Sequence, residues 1–248
     1  MKIVTISDTH WKFNEVEVPE CDLLLHAGDI SGRGKDEEII SFLDWYANQS
    51  AECKVLIAGN HDFGFEKKPE WCEQECKKRN IIYLNDSGYT YRFANENGEP
   101  DKVEIWGSPV QPEFCDWAFN RARTKEESAD FGKGPYNHYD YIGTHWDLIP
   151  NGTDILITHG PPFGILDQCS HGQRVGCEEL LKKIEKIKPK MHVFGHIHEA
   201  RGVIVNKLDT ITYVNASSLN LQYNPHPKTN FCFDWEKVKK GDSNGRDF

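Results

Sequence analysis

The chain has 248 residues, 38% hydrophobic and 27% charged, an ordinary make-up for a folded protein long enough to bury a sizeable core. Its 39 acidic and 29 basic side chains leave a net charge of −10, which weighs against broad binding to extended nucleic acid, since that needs a basic stripe. No run approaches the roughly 20 apolar residues of a membrane span and no signal pattern opens the chain, so a cytoplasmic protein with no membrane partner is expected, its eight cysteines reduced.

Residues 2–7 (KIVTIS) read as a first strand, 22–26 (DLLLH) as a second and 54–58 (KVLIA) as a third. Each is a nearly continuous apolar run, the pattern of a strand covered on both faces. Between the second and third, Ile39, Leu43 and Tyr46 recur at helical spacing, which predicts a helix over 36–50 with Asp36 as its N-cap. The opening is thus β–β–α–β with parallel character. A charged helix is expected over 69–79, then strands over 81–84, 90–93 and 103–107, with turn residues at 95–101 (NENGEPD). Segments 154–158 and 192–194 are again buried-type strands. Between them lies a helix over 177–188, with apolar residues at 180, 181, 184 and 187 and Pro189 to end it. Strands over 202–206, 210–214 and 230–235 close a single domain of residues 1–238, and 239–248 read as a polar, frayed tail. Residues 129–143 show no clear period and are expected to form an inserted loop or lid.

Polar residues follow each buried-type strand. They are Asp8-Thr9-His10, Gly28-Asp29, Gly59-Asn60-His61-Asp62, His159-Gly160-Pro161-Pro162 and Gly195-His196-Ile197-His198. Any one alone is weak, because strand ends collect polar groups in many proteins. All five fall at C-terminal strand ends, where open α/β sheets place their ligands. Asp, His and Asn are hard to borderline donors, suited to Mn²⁺, iron or Zn²⁺ rather than to a thiolate-seeking ion. Two such ions about 3.5–4 Å apart activate water and clamp phosphoryl oxygens. Gly28, Gly59, Gly160 and Gly195 are expected to let the backbone turn sharply beside the ligands.

In this order the five blocks resemble the calcineurin-like metallophosphoesterases, whose pattern is Asp-x-His, Gly-Asp, Gly-Asn-His-[Glu/Asp], a later His and Gly-His-x-His. The resemblance implies a two-sheet α/β sandwich with its metal site at the C-terminal strand ends. It also implies that Asp8, His10, Asp29 and His198 hold one ion and Asp29, Asn60, His159 and His196 the other, with Asp29 bridging. His61 would serve the leaving oxygen, with Asp62 counted beside it as a catalytic candidate. Further stretches (145–150, 157–162, 172–177, 193–199 and 215–217) are similar to the metallophosphoesterase-domain-containing subgroup. They imply a phosphodiesterase, rather than a phosphomonoesterase, of small nucleotides or cyclic nucleotides, with Mn²⁺ as the favoured ion. The alternatives are a vestigial metal-stabilised nucleotide-binding scaffold and a nuclease. One departure stands out: Gly32 replaces the second Asp of the Gly-Asp-x-x-Asp-Arg-Gly motif of Ser/Thr protein phosphatases, the Asp that orients their catalytic His.

Arg33, Arg123 and Arg174 are candidates for gripping a phosphate through a bidentate fork, Arg174 foremost because Gly172 and Gly176 flank it. Each could instead be a solvated or salt-bridged surface Arg. His26 lies inside a strand and reads as a core histidine. Trp117, Phe119, Tyr136, Tyr139 and Tyr141 could stack a base or simply pack against the fold.

Overall fold

The runs that read as buried strands pair with one another, as strands with two apolar faces must. A computed structural model describes residues 1–131, 140–206, 208, 210–243 and 245–246. The first half comprises β1 (Lys2–Ile6), β2 (Cys21–Ala27), α1 (Asp36–Ala47), β3 (Ala51–Ile57), α2 (Phe63–Lys67), α3 (Pro69–Lys78), β4 (Ile82–Tyr83), β5 (Ser87–Ala94) and β6 (Pro100–Ser108). Next come β7 (Gln111–Pro112), β8 (Asn120–Arg121), α4 (Lys125–Phe131), α5 (Ile142–Asp147) and β9 (Ile155–Thr158). The chain continues with α6 (Glu178–Ile187), β10 (Met191–Phe194), β11 (Gly202–Asn206), β12 (Ile211–Asn215), β13 (Phe231–Asp234) and α7 (Trp235–Lys240).

Two sheets result. One runs β13-β1-β2-β3-β4, with β1 to β4 parallel and β13 antiparallel at its edge. The other runs β11-β12-β10-β9-β6-β5, with a parallel centre and antiparallel edges. Alternate side chains explain the layering. Ile3, Leu23, Leu25, Val55 and Ile57 of the first sheet meet Ile105, Ile155, Ile157 and Val193 of the second in one buried core. The intervening Val4, Ile6, Leu24 and Leu56 pack outward under Ile39, Phe42 and Tyr46 of α1 and Cys72 and Cys76 of α3. Leu156 and Phe194 do the same under Trp146 of α5 and Leu180 and Ile184 of α6. This is the expected two-sheet sandwich with helices on its outer faces. Truncating any of these buried aliphatics to Ala should cost about 2–5 kcal/mol.

Several boundaries differ from expectation. Lys35, not Asp36, caps α1: Glu38 accepts the N–H groups of Arg33 and Lys35 at 3.0 and 3.1 Å, and Asp36 falls in the first turn. The expected strand over 230–235 stops at Asp234, whose carboxylate accepts the N–H of Glu236 at 2.9 Å and starts α7. Lys239 and Lys240 belong to that helix, and Cys232 N–H donates to the carbonyl of Gly245 at 3.2 Å. Of the segment 129–143, α4 ends at Phe131 and α5 starts at Ile142, while 132–139, with Tyr136 and Tyr139, lie outside the described residues. Among the described residues no helix is long and apolar enough to cross a membrane.

Candidate metal centre

Parallel strands of both sheets deliver the polar blocks to one place. Beyond β1 stand Asp8 and His10, beyond β2 Asp29, and beyond β3 Asn60 and His61; the second sheet adds His159 after β9 and His196 and His198 after β10. Four of these residues have left-handed backbones: Asp8, His10, Asp29 and His196, with φ of 53°, 39°, 57° and 68°. Such a conformation costs an L-residue roughly 1–2 kcal/mol. The turns are held there by cross-loop bonds, Asp8 N–H to Gly28 O and His10 N–H to Asp29 O, both 3.0 Å. A Cβ at Gly59 would collide with Asp29 Oδ1, and one at Gly195 with Asp8 Oδ2, so these glycines permit the approach of the loops. Gly160 has room for a side chain and needs no such explanation.

Candidate ligand atoms converge in overlapping groups, two of them away from His61 and a third formed by His10, Asp29 and His61. In one, His198 Nε2 lies 3.5 Å from Asp8 Oδ1 and 3.1 Å from His10 Nε2, and His10 Nε2 lies 3.8 Å from Asp8 Oδ1. In the other, His159 Nε2 lies 3.3 Å from Asp29 Oδ2 and 2.8 Å from Asn60 Oδ1, and His196 joins this cluster. Asp29 Oδ2 also stands 3.7 Å from His10 Nε2, which puts this one carboxylate between the groups. Carboxylate and imidazole donors facing a shared centre this closely fit divalent cations. The Nε2 atoms of His10 and His198, 3.1 Å apart, turn their lone-pair edges to the same point beside Asp8.

Electrostatics agree. Burial should raise the Asp8 and Asp29 pKa values, yet both lie below the usual carboxylate range, Asp8 chiefly through His198 and Asp29 through His159. Burial should likewise suppress charge on His159 and His198, yet Asp29 and Asp8 respectively push them up to about 9. His10 and His196, where burial prevails, fall to about 4 and about 3. The anions thus draw positive charge into the site. Outer contacts fix the ring tautomers: Nδ1–H of His159 donates to Ala27 O at 2.9 Å, and that of His198 to Asn220 O at 3.1 Å.

His61 lines the same cavity, of about 500 Å³, and its Nδ1 lies 2.9 Å from the carbonyl of Gly32. Its own N–H donates to Asp29 Oδ1 at 2.8 Å. Two expected catalytic residues are elsewhere. The Asp62 carboxylate is fully buried and occupied by the N–H groups of Ile30, Ser31 and Gly59 and by Ser31 Oγ, so it ties two ligand loops together and does not face the cavity. Arg174 pairs with Asp167 at 2.7 Å in a separate surface pocket. Arg123 is likewise engaged, with the carbonyls of Val175 and Gly176 and with Glu178. The arginine that does line the cavity is Arg33, its guanidinium 4.7 Å from the Trp117 ring centre. Trp117 in turn stacks on His61 at 4.2 Å, Phe119 is buried, and Tyr141 heads α5. His26 is the expected core histidine: it accepts the N–H of Gly28 and bonds Thr9 Oγ1, both at 3.2 Å.

Asn215 and Ser217 have a role that their types alone did not suggest. Ser217 Oγ donates to Asp8 Oδ2 at 2.8 Å, and His196 N–H reaches the same carboxylate at 3.0 Å. Asn215 Oδ1 holds the N–H of Ser217 at 3.2 Å. The stretch Asn215-Ala216-Ser217 was visible in sequence, but its destination depends on β12 ending beside β10.

Comparison with known proteins agrees with this geometry. Residues 1–200 match the family model described as calcineurin-like phosphoesterase. The chain is 37% identical over 247 residues to human metallophosphoesterase domain-containing protein 1, covering 90% of this chain and 68% of that protein. A UPF0046 protein of Caenorhabditis elegans is 34% identical over 232 residues, with 89% and 70% covered. The crystal structure of phosphopantetheinyl hydrolase from Mycobacterium tuberculosis superposes with a TM-score of 0.58 over 90% of each chain at 14% identity, a likeness of fold.

Proposed function

Since the chain belongs to the calcineurin-like phosphoesterases, a metal-dependent family, we propose that it is a phosphodiesterase of small nucleotide substrates, cyclic nucleotides included. Asp8, His10, Asp29 and His198 would hold one divalent ion and Asp29, Asn60, His159 and His196 the other, with Mn²⁺ first and iron or Zn²⁺ as alternatives. When bound, such ions make a water nucleophilic at neutral pH and draw charge from the phosphoryl oxygens.

The chain's own groups supply the rest. The carbonyl of Gly32 accepts the Nδ1–H of His61 and leaves Nε2 for the reaction; in the doubly protonated ring, Nε2–H would give its proton to the departing alkoxide and leave a neutral imidazole that keeps its Nδ1–H. This carbonyl does the orienting that an Asp performs in the protein phosphatases, so the Gly32 departure does not cost the histidine its anchor. Arg33, exposed at the cavity wall, offers paired N–H donors to a phosphoryl oxygen. A cavity of about 500 Å³ suits a small substrate.

The observation that carries this reading is the convergence of the seven ligand side chains beside a histidine with an anchored Nδ1. It is tested by turnover of Mn²⁺-reconstituted protein on bis(p-nitrophenyl) phosphate, p-nitrophenyl phosphate and cyclic AMP. Faster hydrolysis of the diesters is expected. No turnover with Mn²⁺, Fe²⁺ or Zn²⁺ would leave a metal-stabilised scaffold as the better description.

A further inference from the structure

Large apolar side chains seldom stand exposed together unless something covers them. Among the described residues eight are exposed, and three of the eight, Phe114, Leu221 and Tyr223, line the cavity that holds the ligand cluster. They are 56%, 47% and 41% exposed. Neither the proposed metal ligands nor a phosphate group uses that surface.

The three come from two loops, and each loop is fastened to a proposed ligand. In the first, Ala118 N–H donates to the carbonyl of Asn60 at 3.1 Å, and the Asn120 amide donates to the carbonyls of Phe114 and Cys115 at 3.3 and 2.6 Å. In the second, the carbonyl of Asn220 receives His198 Nδ1–H. The side-chain oxygen of Asn220 accepts the N–H groups of Gln222 and Asn224 at 2.9 and 3.1 Å, which closes a tight turn. Lys12 Nζ donates to the carbonyl of Tyr223 at 2.7 Å. Phe114 lies nearly perpendicular to the His196 ring at 6.3 Å, and Tyr223 to the His10 ring at 4.9 Å. The apolar groups are thereby held at set distances from the point where the ligand atoms meet. A preformed clamp of this kind loses little ordering entropy on binding.

We propose that Phe114 from one loop, with Leu221 and Tyr223 from the other, clamps a flat aromatic arm of the substrate, so that the chain selects phosphodiesters carrying an aryl or heteroaryl group. The inference rests on the proposed function for the position of the phosphate. The physical reason is a division of labour. Charge at the metal cluster recognises the phosphate whatever alcohol it bears, whereas apolar contact discriminates among the alcohols. Trp117, already stacked on His61 and carrying Arg33, is committed to other partners.

The test compares two diesters with the same leaving group, p-nitrophenyl phenyl phosphate and p-nitrophenyl methyl phosphate, on the Mn²⁺-loaded full chain. An aryl-to-methyl ratio in kcat/KM of about tenfold or more is expected. It should fall to within about threefold in the double variant Phe114→Ala, Leu221→Ala, whose exposed positions leave the core intact. A ratio near one in the unaltered chain, or an unchanged ratio in the variant, overturns the proposal. Calorimetric binding of diphenyl phosphate against dimethyl phosphate makes the same comparison without turnover. Aryl-selective binding with no hydrolysis removes the catalytic reading and leaves the clamp standing; equal affinities remove the clamp.

Discussion

The imidazole of His61 is anchored through Nδ1 to the carbonyl of Gly32 at 2.9 Å, and its backbone N–H reaches Asp29 Oδ1 at 2.8 Å. The residue therefore touches the ligand cluster through its main chain while its ring is oriented from another loop. His61→Ala keeps the main-chain bond and removes the ring. It should lower kcat by roughly 10²–10⁴-fold with metal content near that of the unaltered chain. His61 also stands within ligand reach of His10 and Asp29. Elemental analysis decides: a variant that drops an ion makes His61 a ligand instead.

Asp29 Oδ2 stands between His159 and His10, at 3.3 and 3.7 Å. Two cations at close range repel, and a shared carboxylate offsets that repulsion. Asp29→Asn should weaken both sites together. The side-chain oxygen of Asn60 meets His159 Nε2 at 2.8 Å, so Asn60→Ala should weaken mainly one. Mn²⁺ titrations that count sites separate the two cases. Two tight sites surviving in Asp29→Asn, with both lost in Asn60→Ala, would mean the bridge is misassigned.

Loading should release protons. His159 and His198 are pushed up to about 9, against an unfolded value of about 6.5. A ring nitrogen accepts a metal only after its proton leaves. Mn²⁺ affinity should therefore climb as pH rises from 6.5 towards 9, by up to about tenfold per unit for each proton displaced. The metal-free protein should behave oppositely. Raised histidine pKa values contribute stability that is fully present below about pH 6.5 and is lost as pH rises through 9. Calorimetry in two buffers of different protonation enthalpy counts the protons, and a count of zero at pH 7.5 contradicts this charge assignment.

Arg33 and Arg174 should separate by assay. Arg33→Ala removes a cavity-lining fork and should lower kcat/KM roughly tenfold. Arg174→Ala leaves the cavity alone and should change kcat/KM less than about twofold. It strips a partner from the buried carboxylate of Asp167, which still accepts the N–H groups of Gly164 and Gly176. The pair is partly exposed, so Tm should fall by no more than about 2–4 °C. Equal losses of activity in the two variants would argue that the 164–177 loop closes over the substrate.

Much of this was legible because the buried strands are unbroken apolar runs and each ends on a polar block. That rhythm brings out Asp8, Asp29, Asn60, His159 and His196 as polar residues at strand ends. Periodicity says nothing about how two sheets face one another, and it was silent on which loop residues point inward. The placements of Asp62 and Arg174 lay beyond it for that reason. The first turns under its loop to gather three backbone N–H groups, and the second is drawn off by Asp167. Trp235 looked like the end of a strand because its apolar side chain continues the run, but the carboxylate of Asp234 caps a helix at that point. The carbonyl of Gly32 could not be foreseen at all, since a backbone group leaves no mark in residue identity.

The carboxylate of Asp8 waits 209 residues for the hydroxyl of Ser217, and β1 becomes an interior strand only when β13 sets Asp234 opposite Lys2. The proposed ligands are split in the same way, four from the first sheet and three from the second. A chain emerging from the ribosome shows Asp8, His10 and Asp29 long before the imidazoles at 159, 196 and 198 have been made. A centre built from these residues would therefore close late in biogenesis, because no half-made chain carries all seven. A ribosome-bound chain stalled before residue 159 should accordingly hold no divalent ion tightly, and the choice of ion would be settled only after the last imidazole has been made.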